Sequence, residues 1–141
     1  MDPVIPEQQS QRKKPSALKL FIISRGNSFK YASRGLSYVM RTQKNAWIHS
    51  VVMLAVIAVS FWLQLTRMEW VAILLVIGMV WTAEFINTSL ESIVNMASPE
   101  RHPLAQVGKD VAAAAVLFAA LIAVIVGILV LGPHLRIKLG L

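Results

Sequence analysis

Two glutamates and an asparagine interrupt a long apolar stretch of this sequence, within the run EFINTSLE at residues 84–91. Glu84, Asn87 and Glu91 are spaced i, i+3 and i+7, so a helix would place all three on one face. Asn95, four residues beyond Glu91, extends that face. A charged side chain at the centre of a bilayer costs at least about 2.5–3.5 kcal/mol on insertion scales. The polar face is therefore expected to contact protein or a wet cavity rather than lipid.

The depths of the two carboxylates predict two kinds of chemistry. A helix over residues 70–96 would be roughly 40 Å long, whereas the hydrocarbon core is about 30 Å thick. Glu91 then falls near one headgroup layer, and Glu84 lies about two turns deeper. A shallow carboxylate can ligate Mg²⁺ that arrives with a nucleotide, because Mg²⁺ is held by carboxylates together with phosphates. A deeper carboxylate, partly removed from water, holds a proton more readily and could act as a base on a lipid hydroxyl.

Hydrogen bonding between helices is the structural alternative for the polar residues of this stretch. Asn87, Thr88 and Ser89 could each join two helices through their side chains. The same explanation is weaker for Glu84 and Glu91, because glutamine would make the same contacts without a charge. The glutamate pair therefore predicts chemistry more strongly than its polar neighbours do.

A polar segment at residues 97–109 follows, and its two prolines, Pro99 and Pro103, predict a loop. The charged and titratable residues in this segment and directly after it are Glu100, Arg101, His102, Lys109 and Asp110. Lys109 could neutralise a phosphate, and Asp110 could orient Lys109 or cap the following helix. An ordinary solvated connection is the alternative. No GxxxxGK[ST] or GxGxxG run occurs in the chain, so a nucleotide would be bound without those phosphate-binding loops.

The composition of the chain is that of a membrane protein. Of its 141 residues 56% are hydrophobic and 15% are charged, against about 45–50% and about 25% in soluble domains. The absence of cysteine excludes a disulfide framework and a thiolate metal site. The predicted fold is an all-α membrane protein with an N-terminal amphipathic interfacial helix and three transmembrane helices. The predicted spans are residues 46–65, 70–96 and 110–131.

A basic amphipathic helix is predicted before the first span, over residues 16–45. Its polar residues recur at spacings of four, three, four and three, and they are Lys30, Arg34, Ser37, Arg41 and Lys44. Such a helix lies in the headgroup plane of an anionic leaflet, although a surface helix of a soluble protein would show the same pattern. Residues 1–15 are expected to form a disordered polar leader.

The distribution of lysine and arginine predicts the orientation. Eleven of the 14 lie in the N-terminal region or the 97–109 segment, and three lie on the opposite side of the predicted membrane. Loops rich in lysine and arginine face the cytoplasm, so both of these regions are expected there. The positive charge is therefore assigned to anionic lipid headgroups, and no nucleic acid partner is expected.

The run EFINTSLESIV, followed by ERHPLAQVGKDVAAAAVLFAA, resembles the prokaryotic diacylglycerol kinase family of small integral membrane lipid kinases. This family includes diacylglycerol kinases and undecaprenol kinases. The upstream run SFKYASRGLSYVMRTQKNAWIH also matches, so the resemblance covers residues 28–127. It implies a homotrimer in the bacterial inner membrane, with active sites between chains, that transfers the γ-phosphate of MgATP to a lipid alcohol. The residues HPLA and KDVAA resemble the undecaprenol kinase branch somewhat more than the diacylglycerol kinase branch.

The resemblance also implies roles for individual residues. Glu84 corresponds to the general base, Glu91 to a ligand of Mg²⁺, and Asn87 to a residue of the lipid and catalytic site. Tyr31 corresponds to a tyrosine near the adenine of ATP. The residues that correspond to the nucleotide-contacting loop are Glu100, His102, Lys109 and Asp110. Three spans offer little protein to bury Glu84, which also favours an oligomer.

Two positions depart from the family pattern. Gln43 stands where the family commonly has a second, glutamate ligand of the metal, and Asn95 stands where it commonly has an aspartate. Each change removes a negative charge, so weaker Mg²⁺ binding is expected. An active kinase is still favoured, because Glu84, Glu91 and the Lys109–Asp110 pair are retained. The alternatives are a small proton- or ion-coupled transporter and a non-catalytic member of the fold. The sequence contains no inverted repeat, which counts against the transporter.

Overall fold

The computed structural model describes residues 16–98 and 102–140, and every regular element within them is an α-helix. The helices are α1 (Ala17–Thr42), α2 (Lys44–Leu63), α3 (Arg67–Ala97) and α4 (Pro103–Leu139). Helices α2, α3 and α4 are each long and apolar enough to cross a membrane. The all-α membrane fold predicted from the sequence is therefore confirmed.

Helix α1 is continuous through Gly26. The chain divides into two units, one ending at Leu36 and one beginning at Ser37. Within the first unit, every side chain that is described from Ser16 to Leu36 is exposed. Its exposed apolar residues include Phe21 and Phe29. This segment of α1 therefore carries both cations and large apolar side chains on its surface.

Helix α4 begins at Pro103, so residues 103–109 are helical and the prediction of a loop there was wrong. Proline suits the first position of a helix, because its φ is already near the helical value and its missing N–H needs no partner there. His102 caps the helix, since its Nδ1 accepts a hydrogen bond from the backbone N–H of Leu104 at 3.2 Å. Pro103 therefore starts this helix rather than breaking it.

Small residues allow α3 and α4 to pack closely. The buried residues of α4 are Ala112, Val116 and Ala119, which share one face of the helix. Alanine at a helix interface lets two backbones approach, which increases van der Waals contact where lipid gives no hydrophobic driving force. Helix α2 packs against the pair less extensively. A cluster of Leu63, Leu65 and Ile73 joins α2 to α3 at the turn between them.

A capping box fixes the start of α3. The hydroxyl of Thr66 accepts a hydrogen bond from the backbone N–H of Glu69, and the carboxylate of Glu69 accepts one from the backbone N–H of Thr66 at 2.8 Å. Glu69 also contacts α4, because its Oε1 lies 2.8 Å from Nε2 of His134. One carboxylate therefore ties the N-terminus of α3 to the C-terminal part of α4.

We expect Glu69→Gln and His134→Gln each to lower the thermal midpoint of unfolding in detergent by a few degrees. Each substitution breaks the same contact between α3 and α4. The double variant should lose little more than either single variant, because residues in direct contact have non-additive effects. Thermal unfolding of the four proteins measures this, and losses that add fully would show that the two side chains act independently.

Candidate functional site

The polar face predicted for α3 lies inside the protein at its centre. Glu84 is 0% exposed, and Asn87 and Thr88 are also buried. The hydroxyl of Thr88 donates to the backbone carbonyl of Glu84 at 2.9 Å, and that of Ser89 donates to Phe85 at 2.8 Å. Both hydroxyl protons are therefore bonded within α3, a common arrangement for these residues in helices, rather than bridging two helices. A single chain buries Glu84 completely, so its burial requires no second subunit.

His49 of α2 approaches Glu84 from another helix. The imidazole Nε2 of His49 lies 4.0 Å from Oε2 of Glu84. Within the described part of the chain, four buried atoms of this group have no hydrogen-bond partner: both carboxylate oxygens of Glu84, Oδ1 of Asn87 and Nε2 of His49. Buried polar atoms without partners are uncommon in folded proteins. Four such atoms close together offer unused hydrogen-bonding groups, which a binding site for a polar ligand group would require.

The sequence reading did not single out His49. The signal was present, because a lone titratable side chain within the apolar span 46–65 is unusual and commonly functional. Its partner could not be read from the sequence, since α2 and α3 are separate helices. The structure adds His49 to the site residues that were predicted.

Gln43 and Glu91, the two predicted metal ligands, are in contact. Nε2 of Gln43 donates a hydrogen bond to Oε2 of Glu91 at 3.2 Å. Gln43 is the residue between α1 and α2, and its backbone is extended there. Its side chain contacts α3 from this break between the two helices. Glu91 is two turns from Glu84 along α3, which places the contact roughly 10 Å away along the helix axis.

The donor set of this pair fits Mg²⁺ that arrives with phosphates. Among the residues that the structure describes, no three His, Cys, Asp or Glu side chains cluster as a metal site. Glu91 offers one carboxylate, and the Gln43 side chain offers an amide oxygen if its amide turns over. Mg²⁺ typically takes one or two protein carboxylates and completes its shell with water and substrate phosphates. The pair therefore suits a metal that is shared with a nucleotide better than a permanent structural metal.

Lys109 is held by Asn95 rather than by Asp110. Nζ of Lys109 donates a hydrogen bond to Oδ1 of Asn95 at 2.6 Å, which joins the start of α4 to the end of α3. Asp110 accepts a hydrogen bond from Gln106 of the same helix at 2.7 Å. The prediction that Asp110 orients Lys109 or caps the helix was wrong, because Asp110 lies inside α4 and faces Gln106.

The described contacts do not bring the remaining predicted residues to this site. Tyr31 is exposed and belongs to the first unit of the chain. Glu100 lies outside the described residues. His102 is exposed and caps α4. The structure therefore assembles three groups within the second unit: Glu84 with Asn87 and His49, Glu91 with Gln43, and Asn95 with Lys109.

An apolar cavity of about 570 Å³ lies between α2, α3 and α4. It extends from His49 and Trp81 to Leu131 and Leu135 near the far end of α4. His49 is the titratable side chain among its described lining residues. The volume is within the range of ligand cavities, about 300–1,000 Å³. The cavity connects the neighbourhood of Glu84 to the apolar interior of the three spans.

Comparison with known proteins gives consistent matches. The family described as prokaryotic diacylglycerol kinase matches residues 30–131. The undecaprenol kinase of Bacillus subtilis (strain 168) is 38% identical over 108 residues, which cover 77% of this chain and 88% of that protein. The diacylglycerol kinase of Synechocystis sp. is 38% identical over 135 residues, covering 94% and 77%. The diacylglycerol kinase of Escherichia coli (strain K12) is 27% identical over 108 residues, covering 72% and 88%.

Proposed function

We propose that this chain, which belongs to the prokaryotic diacylglycerol kinase family and is therefore a lipid kinase, transfers the γ-phosphate of MgATP to the hydroxyl of diacylglycerol or undecaprenol. The observation that carries the proposal is the arrangement of two acidic groups on α3. A fully buried Glu84 with unpaired oxygens lies two turns from Glu91, which is paired with Gln43. One group suits a base for a lipid hydroxyl, and the other suits a metal–nucleotide complex.

Glu84 acts as the general base in this proposal. Its carboxylate takes the proton of the lipid hydroxyl, and the lipid oxygen then attacks the γ-phosphorus of ATP while ADP leaves. Asn87 is buried beside Glu84, and its side-chain amide donates a hydrogen bond to the oxygen of the lipid hydroxyl and so orients it. Enclosure of Glu84 by protein keeps water from competing with the lipid for the phosphoryl group.

Glu91 and Gln43 would hold Mg²⁺, which would neutralise phosphate charge when bound. Lys109 adds a positive charge at the same end of α3 and α4, and Asn95 keeps it in place. Family resemblance assigns Tyr31, Glu100, His102 and Asp110 to nucleotide contacts as well. The neutral Gln43 leaves Glu91 as the one carboxylate of its pair, so the affinity for Mg²⁺ should be modest.

Gln43→Glu should lower the Mg²⁺ concentration that gives half-maximal activity. The hydrogen bond from Gln43 to Glu91 would be replaced by two carboxylates about 3 Å apart, whose repulsion a divalent cation relieves. The variant should also lose thermal stability without Mg²⁺ and regain it when Mg²⁺ is added. Gln43→Met, which has no charge to gain, is the matched control. An unchanged Mg²⁺ requirement would mean that residue 43 does not face the metal.

The chain is a membrane protein, and we propose the bacterial inner membrane with the N-terminus in the cytoplasm. The exposed cations and apolar side chains of α1 between Ser16 and Leu36 support contact with anionic headgroups. Cysteine labelling from outside intact cells tests the orientation: Ser16→Cys should be protected, and Arg67→Cys should react.

A homotrimer is the proposed assembly. Its support is the family resemblance. Chemical crosslinking and native mass spectrometry in mild detergent should give trimers. Monomers alone under these conditions would contradict the assembly without affecting the assignment of Glu84.

Phosphate transfer from labelled ATP by the purified protein tests the function. Diacylglycerol and undecaprenol are offered separately in mixed micelles over a wide range of Mg²⁺, because relatives of both kinds are 38% identical to this chain. Labelled lipid is expected with at least one acceptor, and the ratio of the two rates names the preferred one. ATP consumption that does not depend on added lipid would contradict the proposal.

A further inference from the structure

The side chain of His49 approaches Glu84 from α2, five residues or about 8 Å along the helix axis from Lys44, the first residue of that helix. Glu84 is 0% exposed, whereas the side chain of His49 is 18% exposed. The separation of 4.0 Å between Nε2 of His49 and Oε2 of Glu84 exceeds a hydrogen bond by about 1 Å. Hydrogen bonds between catalytic groups are often long without substrate and shorten when it binds. A small side-chain movement would therefore bring the two groups into direct contact.

Turnover leaves a proton on Glu84 that must be removed. Each transfer converts a lipid hydroxyl into a phosphate ester, and the hydroxyl proton passes to the carboxylate. Glu84 has no exposed atom through which it could return that proton directly to water. A base that approaches Glu84 and lies near the end of a span would restore the carboxylate for the next cycle.

Among the residues that the structure describes, two charged or titratable groups act on Glu84: His49 from α2 and Glu91 from α3 itself. Glu91 is two turns away and contacts Gln43. The face that α4 buries contains Ala112, Val116 and Ala119, none of which titrates. Among the described residues, His49 is therefore the neighbouring base that can accept a proton from Glu84.

We propose that His49 is a positioning and proton-accepting residue for Glu84, which deepens the proposed kinase function and rests on it. The lipid O–H proton moves to a carboxylate oxygen of Glu84. The lipid oxygen forms a bond to the γ-phosphorus, and the bond from that phosphorus to the β–γ bridging oxygen breaks, with its electron pair leaving on ADP. The proton then moves from Glu84 to Nε2 of His49, which is itself buried, and the imidazolium releases the proton on Nδ1 to water near the N-terminal end of α2.

Kinetic comparison of His49→Gln with the wild type tests the proposal. Glutamine keeps a polar side chain at this position but accepts no proton, so kcat should fall on the order of 10²-fold. The KM values for MgATP and lipid should change little. The acid limb of kcat against pH should reflect two coupled deprotonations in the wild type and one in the variant. His134→Gln, the same substitution at the other end of the spans, should keep the wild-type pH profile.

Two further measurements separate a proton-accepting role from a structural one. Added imidazole should raise the rate of His49→Ala in proportion to its free-base concentration and leave the wild type unchanged. The ¹⁵N resonances of His49 in the labelled protein should titrate differently in the wild type and in Glu84→Gln. This second comparison leaves residue 49 intact, so it does not depend on the folding of a His49 variant.

The outcomes distinguish this inference from the function on which it rests. If the wild type is active but His49→Gln keeps its kcat and pH profile, the proton-accepting role is overturned while the kinase assignment stands. Failure of imidazole to restore His49→Ala, together with an unchanged His49 titration in Glu84→Gln, overturns it as well. If the wild type forms no phosphorylated lipid, the proposed function fails and this inference fails with it.

Discussion

Glu84→Gln is expected to abolish lipid phosphorylation, with a loss in kcat of about 10³-fold or more, because glutamine cannot take the proton of the lipid hydroxyl. The substitution preserves the size of the side chain. It should therefore leave the Gln43–Glu91 contact, two turns away, intact, and MgATP should bind nearly as well as to the wild type. Single-turnover phosphate transfer and nucleotide binding, measured on the same preparation, check both halves of the expectation.

The stability of the Glu84→Gln protein should be equal to or higher than that of the wild type. A buried carboxylate with no hydrogen-bond partner destabilises a fold, and a neutral amide removes that charge. Loss of activity together with retained stability would identify a catalytic group. Glu69→Gln is the matched control, since the same chemical change at the start of α3 should lower stability and leave phosphate transfer intact. A Glu84→Gln protein that retains a tenth or more of the wild-type kcat would rule out Glu84 as the base.

Glu91→Gln is expected to weaken MgATP binding by roughly 10- to 100-fold, which corresponds to about 1.4–2.8 kcal/mol. Gln43 is neutral, so Glu91 is the one carboxylate of the contacting pair, and its loss leaves the site with two amides. Mg²⁺ binds amide oxygens more weakly than carboxylates, since it is a hard cation that favours anionic oxygen ligands. High concentrations of Mg²⁺ should restore part of the activity, which they should not do for Glu84→Gln.

Titration of the nucleotide with and without Mg²⁺ measures the effect of Glu91→Gln. The difference between wild type and variant should be large with Mg²⁺ and small without it, because the substitution removes a ligand of the metal. Combination with Gln43→Glu should recover part of the affinity by returning one carboxylate to the pair. Equal loss of nucleotide binding in Glu84→Gln and Glu91→Gln would undo the separate roles assigned to the two glutamates.

The helices and the polar face of α3 could be predicted from the sequence because they depend on local properties. An apolar stretch of sufficient length forms a membrane-spanning helix wherever its neighbours lie, since its backbone groups must bond internally in lipid. The spacing of Glu84, Asn87 and Glu91 places them on one face of any regular helix. The start of α4 was missed for an equally local reason, because proline was interpreted as a helix breaker although it is favoured at the first helical position.

The contacts between helices could be decided only by the tertiary structure. The approach of His49 to Glu84 and the hydrogen bond from Lys109 to Asn95 depend on the rotation and axial register of one helix against another. The hydrogen-bond pattern within a helix does not fix either quantity. They follow from the packing of whole faces, such as the small residues that α4 buries. The sequence thus determined which residues of α3 share a face, and the packing of α2 and α4 determined which side chains meet them.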